Sequence, residues 1–590
     1  MSNKIIHYRM VITVKKKASF IAGAIAVFVF CSVGFAQTDP FIDGSDIRPF
    51  TASGSIGLSA SAYTASGIQN RRAPASLQTN ANLNFSVFGF SSGLNLLYST
   101  DQSRLRQNMN NLSFDASWKW LTVQAGDVSP AFSEYGLNGT TIRGGYLQVS
   151  PGNWLVELSG GRSRRKVDFQ PRAELREPAY ERWAVAGKIG YGSDDDSHFF
   201  LSSHYSIDKK HSVDNPGTIT PQENLTITPD AQLLIFDGAI SLASQVTFSA
   251  YTRDLNSPLI PLGGIGVPAF LTNIMSAHTS SRINYAGQAS ADLDLDQFGL
   301  QLGYERVQPG FISLGVGRTR DDQQKVRISP SVQLFDNKLS LQGNIVLGRD
   351  NLLNTRLHTQ QNTTIGTTAQ LQLTDRISIN GNYNLMVNDI SSNTKSGTPQ
   401  QGGGIDQVQV SNTFMLQPAA TFQRDEHTHN VSISGSYFTL TNEFEGPGSS
   451  TSGNFASDTY SSSVTYSLTF PSGFSVNTMS NFLINRSNRS ENISTGANFG
   501  AVYSLFERKM TLSLNAGINQ NRNEINRAGP NQDDLTVKAR QLMLNMTANY
   551  RLTSKDTFSL SVRNRSNNVL QGGSSRYAEL EGNFKYQHRF

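Results

Sequence analysis

The sequence predicts an all-β chain, a transmembrane antiparallel up-and-down β-barrel of about 26 strands with no plug domain ahead of the first. Three observations predict it. From residue 50 onward, segment after segment alternates apolar and polar side chains with the period of two that an extended strand requires. Short polar turns alternate with longer polar loops along the whole of that length. The chain ends GNFKYQHRF, placing Phe590, His588, Tyr586, Phe584, Gly582 and Leu580 on one face of a last strand and charged or amide residues on the other.

The N-terminus comes first. Lys15, Lys16 and Lys17 precede the apolar run Ala18 to Phe30, and small residues then lead to Gly34-Phe35-Ala36. This basic, apolar, small-x-small pattern predicts a cleaved signal peptide over residues 1–36. The apolar run is short for a spanning helix, which needs roughly 20 residues. Residues 37–49 are then a short periplasmic segment, too little for a plug, and residues 50–590 the barrel. Short turns are expected at Phe88-Gly89, Lys119-Trp120, Ser150–Asn153, Gly192–Asp196, Phe236–Gly238, Asp296-Gln297, Phe335–Lys338 and Thr374–Arg376. They continue at Asp425–His427, Pro471–Gly473, Phe506–Arg508 and Thr553–Lys555. The strands between them alternate cleanly. Leu542, Leu544, Met546, Ala548, Tyr550 and Leu552 oppose Gln541, Asn545, Thr547 and Asn549, with Met543 out of phase. Segments of about 10 residues suit tilted membrane-crossing strands. A bilayer forbids an open sheet edge, so the last strand should pair with the first, near Phe50 to Tyr63.

Composition agrees. Charged residues are 16% of the chain and glycines number 50, and mean hydropathy is −0.34. Almost no helical periodicity appears after residue 36. Loss of the signal removes the one cysteine, Cys31, and with it disulfide and thiol chemistry. It also removes Lys4, Arg9, Lys15, Lys16 and Lys17 and no acid, which takes 50 basic residues to 45 against 45 acids, a net charge of zero. No nucleic-acid partner is expected from that balance. A soluble propeller or repetitive adhesin would show a fixed repeat period or shorter strands, and neither is present.

The terminal aromatic strand resembles the assembly signal of bacterial outer-membrane barrels, which implies Phe584, Tyr586 and Phe590 as its residues and the barrel-assembly machinery as a partner. Two internal stretches are similar to segments of large outer-membrane barrel proteins of Bacteroidota-like bacteria. One is Gly126-Asp127-Val128-Ser129-Pro130 with Leu137-Asn138-Gly139 and Ile142-Arg143-Gly144. The other is Val307-Gln308-Pro309-Gly310-Phe311-Ile312-Ser313-Leu314-Gly315 with Arg318 and Asp321. The resemblance implies a bacterial outer-membrane location with both termini periplasmic, and it assigns no chemistry. A TonB-dependent transporter would carry a plug. The lipopolysaccharide-inserting barrel resembles the chain in strand number but carries a jelly-roll domain and cysteines. The sheath of multihaem cytochromes resembles it in size, but no Cys-x-x-Cys-His occurs. Ushers carry extra soluble domains.

Candidate chemistry is sparse. His427-Thr428-His429 beside Asp425 and Glu426 has metal-like ligand types, and Asp194-Asp195-Asp196 could attract calcium. Both lie at expected turns, where polar residues need no further reason, so neither a metal nor any cofactor is expected. His198 and His204 share one face of their strand and read as lumen polar groups. No histidine stands in a nucleophile motif, so no catalytic residue is assigned. Arg162, Arg164, Arg165 and Lys166 form a candidate basic rim that could steer anions. The stretch between Asp254 and Arg282 holds no charge. Its apolar residues, among them Pro258, Ile260, Pro261, Gly263, Gly264, Pro268, Phe270 and Leu271, must bury themselves, since exposed apolar surface costs about 25 cal/mol per Å². They are the candidate constriction loop.

The expected function is a passive or partner-gated conduit, porin-like or export-like, for solutes or a secreted polymer across the outer-membrane lipid. The alternative is a structural or docking barrel whose lumen holds a periplasmic or lumen-bound partner protein. A barrel hydrolase is the least supported reading.

Overall fold

The computed structural model describes residues 50–590 except 101–109, 169–177, 215, 261–273, 318–319, 393–405, 446–453, 526–534 and 574. The chain divides into two units, Met1–Thr51 and Ala52–Phe590. The second is built on a closed antiparallel sheet of 26 strands, each paired with its neighbours along the chain. The last strand, Tyr577–Arg589, pairs with the first, Phe50–Ser66, in a register running from Ser55↔Arg589 to Ser66↔Ala578. Phe590 completes the seam by exchanging both backbone hydrogen bonds with Gly54 at 3.1 Å. Every strand therefore has two partners, and no row of backbone donors is left for a bilayer to strand.

Every short turn expected from the sequence joins two paired strands. Strands run from the eight residues of Asn111–Trp118 to the 19 of Asp406–Arg424. The short turns collect at one end of the barrel and the longer connections at the other. Several of the turns place a phenylalanine in the left-handed region: Phe88 (φ 48°), Phe236 (55°), Phe335 (57°) and Phe506 (52°). Bulky residues rarely adopt it, at a cost of order 1–3 kcal/mol. These four rings stand exposed at the short-turn end. They join an aromatic band there that includes Trp154 against Tyr191, Phe474 against Tyr503, and Phe422 stacked on His429. An aromatic girdle at the membrane interface is where such rings gain most.

The outward row is apolar and unpartnered. Leu542, Leu544, Met546, Val185, Ile189, Leu201, Leu560 and Phe584 all stand exposed. The inward row over residues 358–590 is largely Asn, Gln, Ser, Thr and Gly, as in Asn380, Asn382 and Asn384, or Asn515, Gly517 and Asn519. Water on the outside would make the first row costly; lipid outside and an aqueous lumen satisfy both. This is a transmembrane barrel of the outer-membrane type.

The terminal strand is clamped at the short-turn end. Asp556, at the turn and outside the membrane-crossing part of its strand, accepts from Thr553 Oγ1 at 2.6 Å, contacts His588 Nδ1 at 2.8 Å and accepts from Tyr586 Oη at 2.8 Å. The Thr553, His588 and Tyr586 hydrogen bonds, in that order, hold its carboxyl down at about 2. A depressed carboxyl contributes above its unfolded pKa, about 3.9, and the contribution is lost as pH falls through about 2. Asp556→Ala should lower the temperature at which the folded band disappears in heat-modifiability gels by a few degrees at pH 7, and by much less at pH 2. An equal drop at both would show that the carboxylate is not the clamp.

Candidate functional site

Two connections at the long-loop end do not stay outside. Residues 129–141, between strands Leu121–Val128 and Ile142–Val149, and residues 308–317, which follow strand Phe298–Val307, turn into the lumen and meet there. Gly315 and Val316 pair in parallel with Leu137 and Asn138. Thr140 Oγ1 donates to the Gly315 carbonyl at 2.8 Å and Ser313 Oγ to the Gly136 carbonyl at 2.7 Å. These are the two internal stretches singled out in the sequence, apart from Arg318, which lies outside the described residues. Their significance as one site lies in the fold, which joins positions nearly 180 residues apart.

Each segment is anchored by apolar residues at inward positions where most of the wall is polar. Phe132 and Leu137 pack with Val128, Ile142, Ala184 and Ala186 in one cluster, with Tyr146 against it. Tyr135 and Phe311 pack with Ala286 and Val307 in the other, the two rings edge-to-face at 6.2 Å. Leu137 is 0% exposed and Phe311 1%. Burying such side chains is worth about 1.5–3 kcal/mol each. Asp127 and Arg143, cross-strand partners at the point where the first segment leaves and rejoins the wall, form a bidentate pair at 2.8 and 2.7 Å.

Beneath the segments the wall is hydroxyl-rich, and its hydroxyls pair with the segments and with one another, while Nδ1 of His204 is buried there without a partner. Ser249 Oγ donates to the Ile312 carbonyl at 2.6 Å, and Leu314 N donates to Asn224 Oδ1 at 2.9 Å. Asn224 Nδ2 in turn reaches Ser249 Oγ and the Ala250 carbonyl. Thr228 bonds Thr247 at 2.8 Å, and Glu134 N donates to Gln245 Oε1 at 2.7 Å. Buried polar groups require such partners. The inward face of strands Arg182–Tyr191 and His198–Asp208, and the long-loop half of that face from Glu223–Ile235 through Ser281–Asp294, is thus largely shielded from the lumen, while the outward residues Trp183, Val185 and Phe248 stay exposed. His204, expected as a lumen polar group, is buried beneath Gly315 and bonds Ser206 through Nε2 at 2.7 Å. A Cβ on Gly315 would lie 2.2 Å from the Gly136 carbonyl oxygen and 2.7 Å from the His204 ring. Only glycine allows that approach.

The residues singled out from sequence fall elsewhere. Pro258 and Ile260 are exposed, at the start of a short ladder in which Ile260 N donates to the Ala277 carbonyl and Thr279 N to that of Pro258. Pro261, Gly263, Gly264, Pro268, Phe270 and Leu271 lie outside the described residues. In the basic rim, Arg164 shares the buried carboxylate of Asp208 with Arg182 of the next strand. Arg162 faces Glu181 at 3.7 Å and Lys166 faces Asp168 at 3.6 Å. Arg165 is exposed. Most of the rim's charge is therefore neutralised locally. Phe584, Tyr586 and Phe590 lie on or beside the closing seam.

No protein-family model matches the sequence, and no curated relative does. Among solved structures the fold is similar to OccAB2 of Acinetobacter baumannii, at 12% identity over 67% of this chain and 98% of that one, with a TM-score of 0.30. It is similar to the P pilus usher (PapC) translocation pore, at 11% identity over 91% and 98% with a TM-score of 0.25. It is also similar to the outer membrane protein OpdK of Pseudomonas aeruginosa, at 9% identity over 66% and 98% with a TM-score of 0.27. Scores of this size carry no inference for this chain, and its function is read from its own residues.

Proposed function

We propose that the protein is a conduit for polar solutes across the bacterial outer membrane, its lumen narrowed by the two inward segments. In this reading the short-turn end and both termini face the periplasm. The observation that carries it is the division of the inner wall. On one side, hydroxyls and small residues are covered by segments that fit them hydrogen bond by hydrogen bond. On the other, an amide- and hydroxyl-rich surface is left open to the lumen, including Asn380, Asn382, Asn515 and Asn519. A wall of neutral donors and acceptors lowers the barrier for hydrated cargo without binding it tightly. Barrels beyond about 16–18 strands enclose a wide lumen unless something fills it, and here the chain supplies part of the filling itself.

The test is conductance of the purified, detergent-folded protein in planar bilayers. Discrete, stable channels smaller than an unobstructed barrel of this strand number would support the reading. A silent barrel that co-purifies with a stoichiometric partner would replace it with the docking reading.

A further inference from the structure

We propose that the lumen wall carries an oxyanion-binding site at the closing seam, near the long-loop end, that takes the phosphate, sulfate or carboxylate group of a solute. A cavity of about 160 Å³ there is lined by Tyr63, Arg71, Arg72, Arg563, Arg565, Glu579 and Glu581. Four guanidinium groups face two carboxylates, an excess of two positive charges on a wall whose neighbouring inward positions, such as Ser561 and Asn583, are neutral.

The acids are already engaged. Glu579 accepts from Tyr63 Oη at 2.7 Å and lies 3.6 Å from Arg71. Glu581 accepts from Arg72 Nη1 at 2.7 Å and from Asn583 Nδ2 at 3.2 Å, with Arg563 at 4.0 Å. Arg565 stands opposite Glu579 in the strand register. It nevertheless makes no hydrogen bond or ion pair among the described residues, and its Nε is buried with no acceptor. A buried N–H left unpaired is costly, more so on a charged group. The planar fork of arginine suits bidentate contact with an oxyanion, which would supply the acceptor that Glu579 and Glu581 do not. Tyr63 and the two carboxylates then hold the arginines apart and keep the cavity open.

The site goes beyond the conduit reading, and it can be tested whether or not the barrel passes current. The full chain, folded in detergent free of lipopolysaccharide at low ionic strength, is titrated calorimetrically with inorganic phosphate and with sulfate. Saturable binding at one site is expected. The Arg563→Gln/Arg565→Gln double variant should weaken it by at least about tenfold, the worth of a hydrogen bond to a charged group. Glu579→Gln should tighten it, a direction that misfolding cannot imitate. Lys338→Gln, in a short turn at the opposite end of the barrel, should leave it unchanged. Absence of saturable binding, or equal binding by the double variant, overturns the site. A second titration in micelles doped with lipid A separates a solute group from a lipid headgroup, and loss of phosphate binding there overturns the assignment to a solute.

Discussion

Replacing Gly315 by valine should raise the single-channel conductance severalfold while leaving the barrel folded. The new Cβ would sit 2.2 Å from the Gly136 carbonyl oxygen and 2.7 Å from His204. The first of these is backbone, which cannot swing aside as a flexible side chain can. The parallel pairing of Gly315 and Val316 with Leu137 and Asn138 must therefore open. That releases the Thr140 and Ser313 hydrogen bonds to the facing backbone and uncovers Leu137. Each hydrogen bond is worth only about 0.5–1.5 kcal/mol net, against a cost of about 1–2 kcal/mol for each backbone residue held in place. Apolar anchors such as Phe132 and Phe311 make up the rest and hold the base of each segment, so the conflict parts the two segments where they meet across the lumen. The strands beneath keep their own ladders, so the heat-modified gel shift should be unchanged. Unchanged conductance in Gly315→Val would mean that the inward segments do not limit the current. A deletion of residues 258–271, the constriction loop expected from sequence, is the companion measurement: a rise there and none in Gly315→Val would make that loop the narrowing element.

The contrast between the two loops shows what the sequence made legible. Alternation, turn chemistry and the aromatic end depend on neighbours two residues away or one turn away, so the strands, the short turns and the closing seam could be read directly. The inward segments could not. Their partners lie on strands far along the chain, and Thr226, Thr228, Thr247 and Ser249 look the same whether a hydroxyl meets water or a folded loop. One signal was available. Val128, Ile142, Val307, Ala184, Ala186 and Ala286 are apolar or small at inward positions, where most of the wall is polar. Aromatic Phe132, Tyr135 and Phe311 occur in the connections that face them. An inward row that turns apolar marks something other than water against it. The uncharged loop drew attention because lack of charge is conspicuous, but apolar content alone does not say what surface receives it. The seam arginines were invisible for a related reason. Arg71 and Arg565 are almost 500 positions apart in sequence, and only closure of the barrel brings them together.

Closure is also where the largest effect is expected. Deleting Tyr577–Phe590 should abolish recovery of a folded barrel. The deletion removes a strand that pairs on both sides, with Asp556–Gln571 and with Phe50–Ser66. Two edges would then face hydrocarbon, each with a row of backbone groups that cost several kcal/mol apiece when unpaired there. A handful of them exceeds the whole stability of an ordinary fold, about 5–15 kcal/mol. Nor can the sheet close by joining the exposed strands in the same antiparallel sense, because Asp556–Gln571 and Phe50–Ser66 both pair antiparallel with the lost strand and so run parallel to each other. Removing only Phe590 is a milder change, since it takes away the two hydrogen bonds to Gly54 but leaves the register from Ser55 to Ser66 intact. Its barrel should still fold, more slowly or in lower yield. The measurement is the fraction of purified chain that reaches the heat-modifiable form in detergent or vesicles, with full-length protein as reference. Recovery of a folded channel from the chain lacking Tyr577–Phe590 at the full-length yield would show that closure by this strand is not what makes the sheet stable in a membrane. Folding of the full chain without detergent or lipid would overturn the assignment of the outward apolar row to a bilayer.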